Sequence, residues 1–365
     1  MPDTIELEVR GLTKRYSPQV TVGPISFDVR SGEFFSLLGP SGCGKTTTLR
    51  CIAGFETLSE GSVRLGGERL DDKPPNRRDV GLVFQNYALF PHLTVFDNIA
   101  FGLRLRRVSA AETKERVGRM LELVGLPDLA LRFPAQLSGG QQQRIAIARS
   151  LVLEPQILMF DEPLSNLDFK LRTQMRDELR RLQRRLGKTS IYVTHDQTEA
   201  LALSDRIAVL SHGQIEQIGT PGEIYEQPAS AFVADFIGNS NLFSARIIER
   251  NGGDTMVETA DGLRLCCRSG NAGDTTGADV SVLLRPERIR VEESNGAETS
   301  CGPNHFQARI AEIIYLGEDL HLSLELPRGP LLRAALKNGS GARGLAPTGR
   351  VEVIIDPHDI RLLRR

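Results

Sequence analysis

The residues Gly39-Pro40-Ser41-Gly42-Cys43-Gly44-Lys45-Thr46 keep the spacing G-x-x-x-x-G-K-[ST], whose chemistry is the grip of a backbone loop on phosphate. Glycines let the chain wrap an anion with no Cβ in the way. Consecutive amides and the positive end of a following helix then point at the phosphate. Lys45 adds a full charge near the β and γ phosphates. Thr46, followed by Thr47, offers a hydroxyl to Mg²⁺, which takes oxygen ligands and keeps several of its waters. The adjacent carboxylates Asp161 and Glu162 supply the other half of such chemistry. Asp161 would stand in the Mg²⁺ shell, and Glu162 would polarise a water for in-line attack on the γ-phosphate as the general base. An acidic pair also serves as a helix cap or a solvated turn, and only the glycine loop favours the catalytic reading. His195 and Gln85 complete the set, the glutamine within reach of Mg²⁺ or the attacking water.

Each of these residues needs an element to place it. Apolar or β-branched runs precede all four positions: Phe34 to Leu38, Val80 to Phe84, Ile157 to Phe160 and Ser190 to Thr194. Such runs read as buried parallel strands, whose carboxyl ends open on a ligand crevice. A helix from Thr46 to Ala53 completes strand, loop and helix in order, which a glycine turn without a ligand does not require. A second helix opens at Leu137-Ser138-Gly139-Gly140-Gln141 and runs to Leu153, with Ser138 as its N-cap. Two glycines after a cap cost about 1 kcal/mol each in helix propensity. Their exposed amides make a second phosphate cradle. A phosphate loop alone leaves kinases, GTPases, helicases and transport motors open.

Together, Gly39 to Thr46, Gln85, Ser138-Gly139-Gly140-Gln141, Asp161-Glu162, the turn Ser165-Asn166-Leu167-Asp168 and His195 resemble the nucleotide-binding subunit of ABC transporters in order and spacing. The resemblance implies a head-to-tail homodimer. ATP would lie between the phosphate loop of one copy and the signature helix of the other, so that a single copy cannot complete the site. Nucleotide contacts would then come from residues 39 to 47, Ser138 to Gln141 and Asp168, with Tyr16 stacking on adenine. Thr46, Gln85 and Asp161 would serve Mg²⁺, and Glu162, His195 and Gln85 catalysis. The stretch Gln85 to Val95, followed by Asp97-Asn98-Ile99, is similar to ATPases of bacterial importers for polyamines, ferric iron, sugars and phosphonates. In those subunits it lines a groove for a cytoplasmic helix of the permease, which makes Tyr87, Leu89 and Phe90 contact candidates. As core residues they would serve packing alone. The runs Gly32 to Leu38 and Phe236 to Asn241 look most like the spermidine/putrescine group. Two permease subunits and, indirectly, a solute-binding protein are the implied partners.

Composition agrees. The 365 residues suit two or three domains, and 40% hydrophobic residues supply a sizeable core. No apolar run approaches the roughly 20 residues that span a bilayer. Met1 to Glu6 lack the basic and apolar blocks of a signal peptide, implying a peripheral protein on the cytoplasmic side of the inner membrane. Five cysteines without C-x-x-C spacing indicate neither a disulfide framework nor zinc. Cys43 is expected to be a point where alkylation or oxidation blocks ATP. A net charge of −1 steers the molecule toward neither nucleic acid nor anionic lipid. Arg172, Arg176, Arg180, Arg181, Arg184 and Arg185, interleaved with Asp177 and Glu178, read as a solvated helix face with i,i+4 pairs.

The expected fold is α/β: a P-loop ABC ATPase core over residues 1–238, with a helical subdomain at about 91–153, and a C-terminal β-barrel of OB-like type over 239–365. Strands are expected at Ile5 to Val9, Val20 to Val29 and Arg206 to Leu210, and helices at Ala110 to Leu123, Phe169 to Leu186 and Pro221 to Ile237. In the barrel, short β-runs alternate with Gly, Asn and Pro turns, and Ser294 to Asn304 is a polar connection. Arg285 to Ile289 and Tyr315-Leu316-Gly317 resemble the transport-associated OB-like module of importer ATPases. Nucleic acid is not an expected partner, because stacking aromatics at regular intervals are missing. A soluble ABC-type ATPase of translation or DNA repair is the alternative of another class. It usually carries two ATPase domains or a long coiled coil, and neither is present.

Overall fold

The computed structural model describes residues 4–268, 275–293, 302–339, 346 and 348–364. Cys301 and most of the expected polar connection at 294–304 lie outside the described residues. The chain divides into two compact units, Met1–Ile224 and Tyr225–Arg365.

In the first unit, β1 (Ile5–Ser17), β2 (Val20–Arg30), β4 (Glu60–Leu65) and β5 (Glu68–Arg69) form an antiparallel sheet in the order β2-β1-β4-β5. The second sheet holds β3 (Phe34–Leu38), β6 (Val80–Val83), β7 (Ile157–Asp161), β8 (Thr189–Thr194), β9 (Arg206–Ser211) and β10 (Gln214–Gly219), in the order β10-β9-β3-β8-β7-β6. All but β10 run parallel. Strands β3, β7 and β8 are buried at every residue, as a parallel sheet covered on both faces requires. The register sets Leu38 opposite Thr194, Asp161 opposite Val193 and Val83 opposite Phe160. The loops after β3, β6, β7 and β8 therefore leave the sheet at one edge.

Helix α1 (Lys45–Ala53) follows β3 directly. Between β6 and β7 the chain runs through α2 (Val95–Leu105), α3 (Ala110–Leu123) and α4 (Gly139–Leu151). They enclose their own core, with Ile99, Leu103, Val117, Leu121 and Ile145. Side chains set the starts of these helices: Thr94 accepts from the Asp97 amide and Ser109 from the Glu112 amide. Helix α4 ends two residues before the expected Leu153.

Helix α5 (Phe169–Leu186) has the expected bounds, but its arginines pair differently. Their acids sit mainly on neighbouring elements: Arg180 with Asp205 at 2.5 Å, Arg172 with Asp196 at 3.4 Å, and Glu178 with Arg144 of α4 at 2.7 Å. Along the helix, Arg181 reaches only the Asp177 carbonyl, at 3.3 Å. Packed neighbours bring acids closer than the helix's own next turn does. Helix α6 (Gln197–Leu203) follows β8, and α7 (Pro221–Glu226) spans the division between the units.

The second unit starts with the end of α7 and α8 (Ala231–Phe236). Two five-stranded antiparallel sheets follow. One joins β11 (Asn241–Asn251), β12 (Asp254–Thr259), β13 (Arg264–Cys267), β14 (Asp279–Leu284) and β20 (Ile360–Arg364), in the order β13-β12-β11-β14-β20. The other joins β15 (Ile289–Glu293), β16 (His305–Tyr315), β17 (Asp319–Glu325), β18 (Leu332–Lys337) and β19 (Arg350–Ile355), in the order β15-β19-β16-β17-β18. Both contribute to one core, including Ile247, Val282, Ile310, Leu324 and Val353, which gives the OB-like β fold. Cys267 is buried in it and Cys266 is buried beside it, and burial pushes the Cys267 thiol up to about 12. Arg285 is 4% exposed and gathers the segment before β11. Its Nη1 donates to the carbonyls of Ala234 at 3.2 Å and Ile237 at 2.6 Å and to the Ser240 hydroxyl at 2.5 Å, and its Nη2 to the Tyr225 carbonyl at 2.8 Å. Its guanidinium also lies 4.2 Å from the Tyr225 ring centre.

Candidate functional site

The loop after β3 is built for an anion. Gly44, the N-cap of α1, has φ 101° and gives no side-chain cap, so the first amides of the helix keep their donors free. Gly42, at φ 80°, has open space where a Cβ would project. At Gly39 a Cβ would meet the Leu210 carbonyl oxygen at 2.3 Å and Cys43 Sγ at 2.7 Å, and at Gly44 it would meet Val22 Cγ1 at 2.6 Å. Pro40 and Ser41 complete the loop. Lys45, 4% exposed, curls over it and donates to the carbonyls of Gly39 at 2.8 Å and Pro40 at 2.9 Å. Cys43 is buried, and burial raises its thiol pKa, which makes it less reactive than its place in the motif suggests. Tyr16 stands half-exposed beside the loop, its hydroxyl 3.5 Å from that of Thr47 and Lys14 Nζ 5.3 Å from its ring centre.

Thr46 Oγ1 donates to Asp161 Oδ1 at 2.8 Å, so two hard oxygen donors meet at the root of the loop. Burial raises the Asp161 carboxyl, and the Thr46 bond and the Arg50 charge pull it back. Among the described residues no three His, Cys, Asp or Glu side chains gather into a metal cage. A hydroxyl and one carboxylate fit Mg²⁺, which takes its remaining oxygens from water and phosphate.

Glu162 adopts φ 45°, a left-handed conformation that side chains other than glycine rarely take. Its amide donates to the Val193 carbonyl of β8 at 3.0 Å, and its own carbonyl accepts from the Ser165 hydroxyl at 2.9 Å, so the adjacent strand and the turn itself hold the strained conformation. His195 Nδ1 lies 3.0 Å from Glu162 Oε2. Gln85 is exposed and its side chain donates to Ser165 Oγ at 3.2 Å, while Asn166 donates to the Gln85 carbonyl at 3.1 Å. Gln85 thus joins the turn after Glu162. Asp168 caps α5, accepting the Leu171 amide at 2.9 Å.

At the start of α4, Ser138 and Gln141 form a reciprocal capping box: the Gln141 amide donates to Ser138 Oγ at 3.4 Å, and the Ser138 amide to Gln141 Oε1 at 2.9 Å. The glycines also have a packing reason that the sequence reading missed. A Cβ at Gly139 would stand 3.1 Å from Leu167 Cδ2, and one at Gly140 would stand 3.0 Å from Leu171 Cδ1.

Of the three contact candidates, Tyr87 is buried, packed with Phe160, Leu164 and Leu167, and burial raises its phenol pKa. Only Leu89 and Phe90 offer surface. Two residues that hold this stretch were not singled out from sequence. Arg149 donates to the carbonyls of Ala88 at 2.7 Å and Tyr87 at 2.9 Å, both residues in left-handed conformations. Asn98, fully buried, donates to the carbonyls of Phe90, Leu93 and Thr94.

Residues 22–165 match the family model described as ABC transporter, and residues 282–363 match that of the TOBE domain. The spermidine/putrescine import ATP-binding protein PotA of Roseobacter denitrificans is 48% identical over 350 residues, covering 96% of this chain and 95% of that protein. The PotA of Rubrobacter xylanophilus is 46% identical over 360 residues, covering 98% and 94%. Among solved structures, cbiO1 of Clostridium perfringens, part of the ABC transporter complex cbiONQ, is 30% identical with a TM-score of 0.57, over 60% of this chain and 90% of that one. The ATP-binding cassette MJ0796, a dimer in a post-hydrolysis state bound to ADP and Pi, is 32% identical with a TM-score of 0.52, over 59% and 98%. No helix among the described residues is long and apolar enough to cross a membrane. With relatives of this identity matched along nearly their whole length, the chain belongs to the ABC transporter family, as an ATP-binding ATPase subunit that ends in a TOBE domain.

Proposed function

We propose that this chain works as a head-to-tail homodimer on the cytoplasmic side of the inner membrane, hydrolysing Mg-ATP to drive import of spermidine or putrescine through two permease subunits. The observation that carries the hydrolytic reading is the pairing of Thr46 with Asp161 at 2.8 Å next to the Glu162–His195 contact at 3.0 Å. The polyamine reading is supported by relatives, close to half identical along nearly the whole chain, that are spermidine/putrescine import ATP-binding proteins. Leu89 and Phe90 are the surface offered to the permease.

In this mechanism Lys45 exchanges its loop carbonyls for the outer phosphates, and the free amides of α1 hold the anion. Thr46 and Asp161 would hold Mg²⁺, with Gln85 contributing. When bound, the ion neutralises charge developing on the transferred phosphoryl. Glu162 orients the attacking water and takes its proton. His195, in the loop after β8, holds the carboxylate in place. Gly139 and Gly140 of the second copy face the phosphates from the other side, and Tyr16 carries the adenine. Hydrolysis then releases the dimer.

Uptake of labelled putrescine and spermidine by cells lacking this chain, complemented with the native sequence or Lys45→Ala, tests the reading. Restoration by the native chain alone is the expected result. Equal uptake in all strains rejects polyamines and sends the assay to ferric iron, phosphonates and sugars. With purified protein, Glu162→Gln is expected to lower turnover by about 10²–10⁴-fold and to accumulate an ATP-bound dimer. A variant that sediments as a monomer in saturating ATP rejects the dimer mechanism.

A further inference from the structure

Two loops leave the sheet side by side, one after β7 carrying Glu162 and one after β8 carrying His195. Beneath their contact a second group of bonds joins them, and it runs through Arg172, near the start of α5. Arg172 Nη2 donates to the Leu167 carbonyl at 3.0 Å, in the turn that descends from Glu162. Its Nη1 lies 3.4 Å from Asp196 Oδ2, the residue after His195. Its Nε is buried without a hydrogen-bond partner and stands 4.0 Å from Glu199 Oε1.

Glu199 is 4% exposed. Its Oε2 accepts from the hydroxyls of Tyr192 at 2.7 Å and Thr194 at 2.8 Å. The Thr194 hydroxyl oxygen in turn accepts the Asp196 amide at 2.9 Å, and Asp196 Oδ1 accepts the amides of Thr198 at 2.8 Å and Glu199 at 3.1 Å. The backbone on both sides of His195 is therefore fastened, and the fastening centres on a buried carboxylate. Such a carboxylate is costly without a cation nearby. Arg172 supplies that cation while holding a carbonyl of the turn after Glu162.

We propose that Arg172 is a positioning residue for hydrolysis: by tying the Leu167 carbonyl to Asp196 and Glu199, it keeps His195 at hydrogen-bond distance from Glu162. The inference rests on the reading of Glu162 and His195 as the hydrolytic pair. Displacing a catalytic contact by about 1 Å can cost about 100-fold in rate. The grip on nucleotide uses other bonds, those of Lys45 and Thr46, so the effect belongs in turnover and not in affinity.

The test is steady-state ATP hydrolysis by the full chain, native and as Arg172→Ala and Arg172→Gln, each also in a His195→Ala background. Arg172→Ala is expected to lower kcat about tenfold or more, with KM for ATP within about twofold. Arg172→Gln keeps a donor for Leu167 but no charge for Asp196, and falls between. Without His195, removing Arg172 has little further effect, because the residue it positions is gone. Faster hydrogen exchange at the amides of Thr194 to Thr198, exceeding any change at the amides of the buried strand β3, is expected in Arg172→Ala and is readable even where the His195→Ala rate is too low to compare. An unchanged kcat, a KM that rises as kcat falls, or the same fold-loss in both backgrounds overturns the proposal. Glu162→Gln separates the two levels. Native turnover in that variant rejects the hydrolytic pair itself, whereas a Glu162→Gln that has lost turnover beside an Arg172→Ala with native turnover rejects only the positioning role.

Discussion

Helices α1 and α4 both begin at glycines, and they begin in opposite ways. Helix α1 starts from left-handed Gly44 with no side chain on its orphan amides, while α4 starts from extended Ser138 with a complete capping box. In α1 the open amides are left for an external anion, while Lys45 is held by the carbonyls of Gly39 and Pro40. In α4 the box has already satisfied the third amide, and only those of Gly139 and Gly140 remain for a ligand. On the proposed reading, one N-terminus is a binding site in its own right, and the other, a finished helix start with room for a supplementary contact, is a half-site completed by another copy.

The strongest way to break this comparison is to spoil each start in turn. Gly44→Ala places a side chain at φ 101° and within 2.6 Å of Val22, so nucleotide affinity is expected to fall tenfold or more from about 1–3 kcal/mol of strain. Gly139→Ala should leave the affinity of the monomeric chain unchanged and lower only turnover, with fluorescent-nucleotide titration and phosphate release as the two readouts. Equal losses of affinity would show that the two starts are not separate halves.

Alkaline pH distinguishes them by stability. Burial pushes Cys51, within α1, up to about 11 from 9.0, and α4 has no thiol. A raised thiol pKa gives stability that is complete below the unfolded value and lost as pH rises through the folded one. Cys51 should contribute a fall in stability on the order of 2 kcal/mol between pH 9 and pH 11, and Cys51→Ala should remove that share of the loss in denaturant titrations. Ser138→Ala removes the cap of α4 and should cost about 1 kcal/mol, lowering the melting temperature by about 2–4 °C. The smallest effect is kinetic. Cys43 should alkylate more slowly than a free thiol at neutral pH and faster as pH rises, with nucleotide protecting it, and a fast reaction indifferent to nucleotide would contradict its burial.

The sequence made the edge of the sheet legible because each site residue follows an apolar run long enough to be a buried strand. Helices α3 and α5 were readable to the residue, since Ser109 and Asp168 cap them and the apolar period is clear. Short strands such as β10, β13 and β20 were not, because a four- to six-residue edge has too little pattern to separate from a turn. The arginines of α5 misled for a related reason: helical spacing predicts neighbours along one helix and is blind to Asp196, Asp205 and Arg144 arriving from elsewhere. Glycines 139 and 140 carried both a chemical and a packing constraint, and only the packing of Leu167 and Leu171 reveals the second.

Arg285 bears on how the molecule can be dissected for expression in parts. The four acceptors it collects belong to Tyr225, Ala234, Ile237 and Ser240, three of which precede the glycine at 238 where the composition changes. A C-terminal fragment started at Asn239 would leave a buried guanidinium stripped of most of its partners, and aggregation is its expected fate. A fragment started before Tyr225 keeps the whole clamp, and comparing the soluble yield of the two would show how far one arginine governs where this chain can be cut.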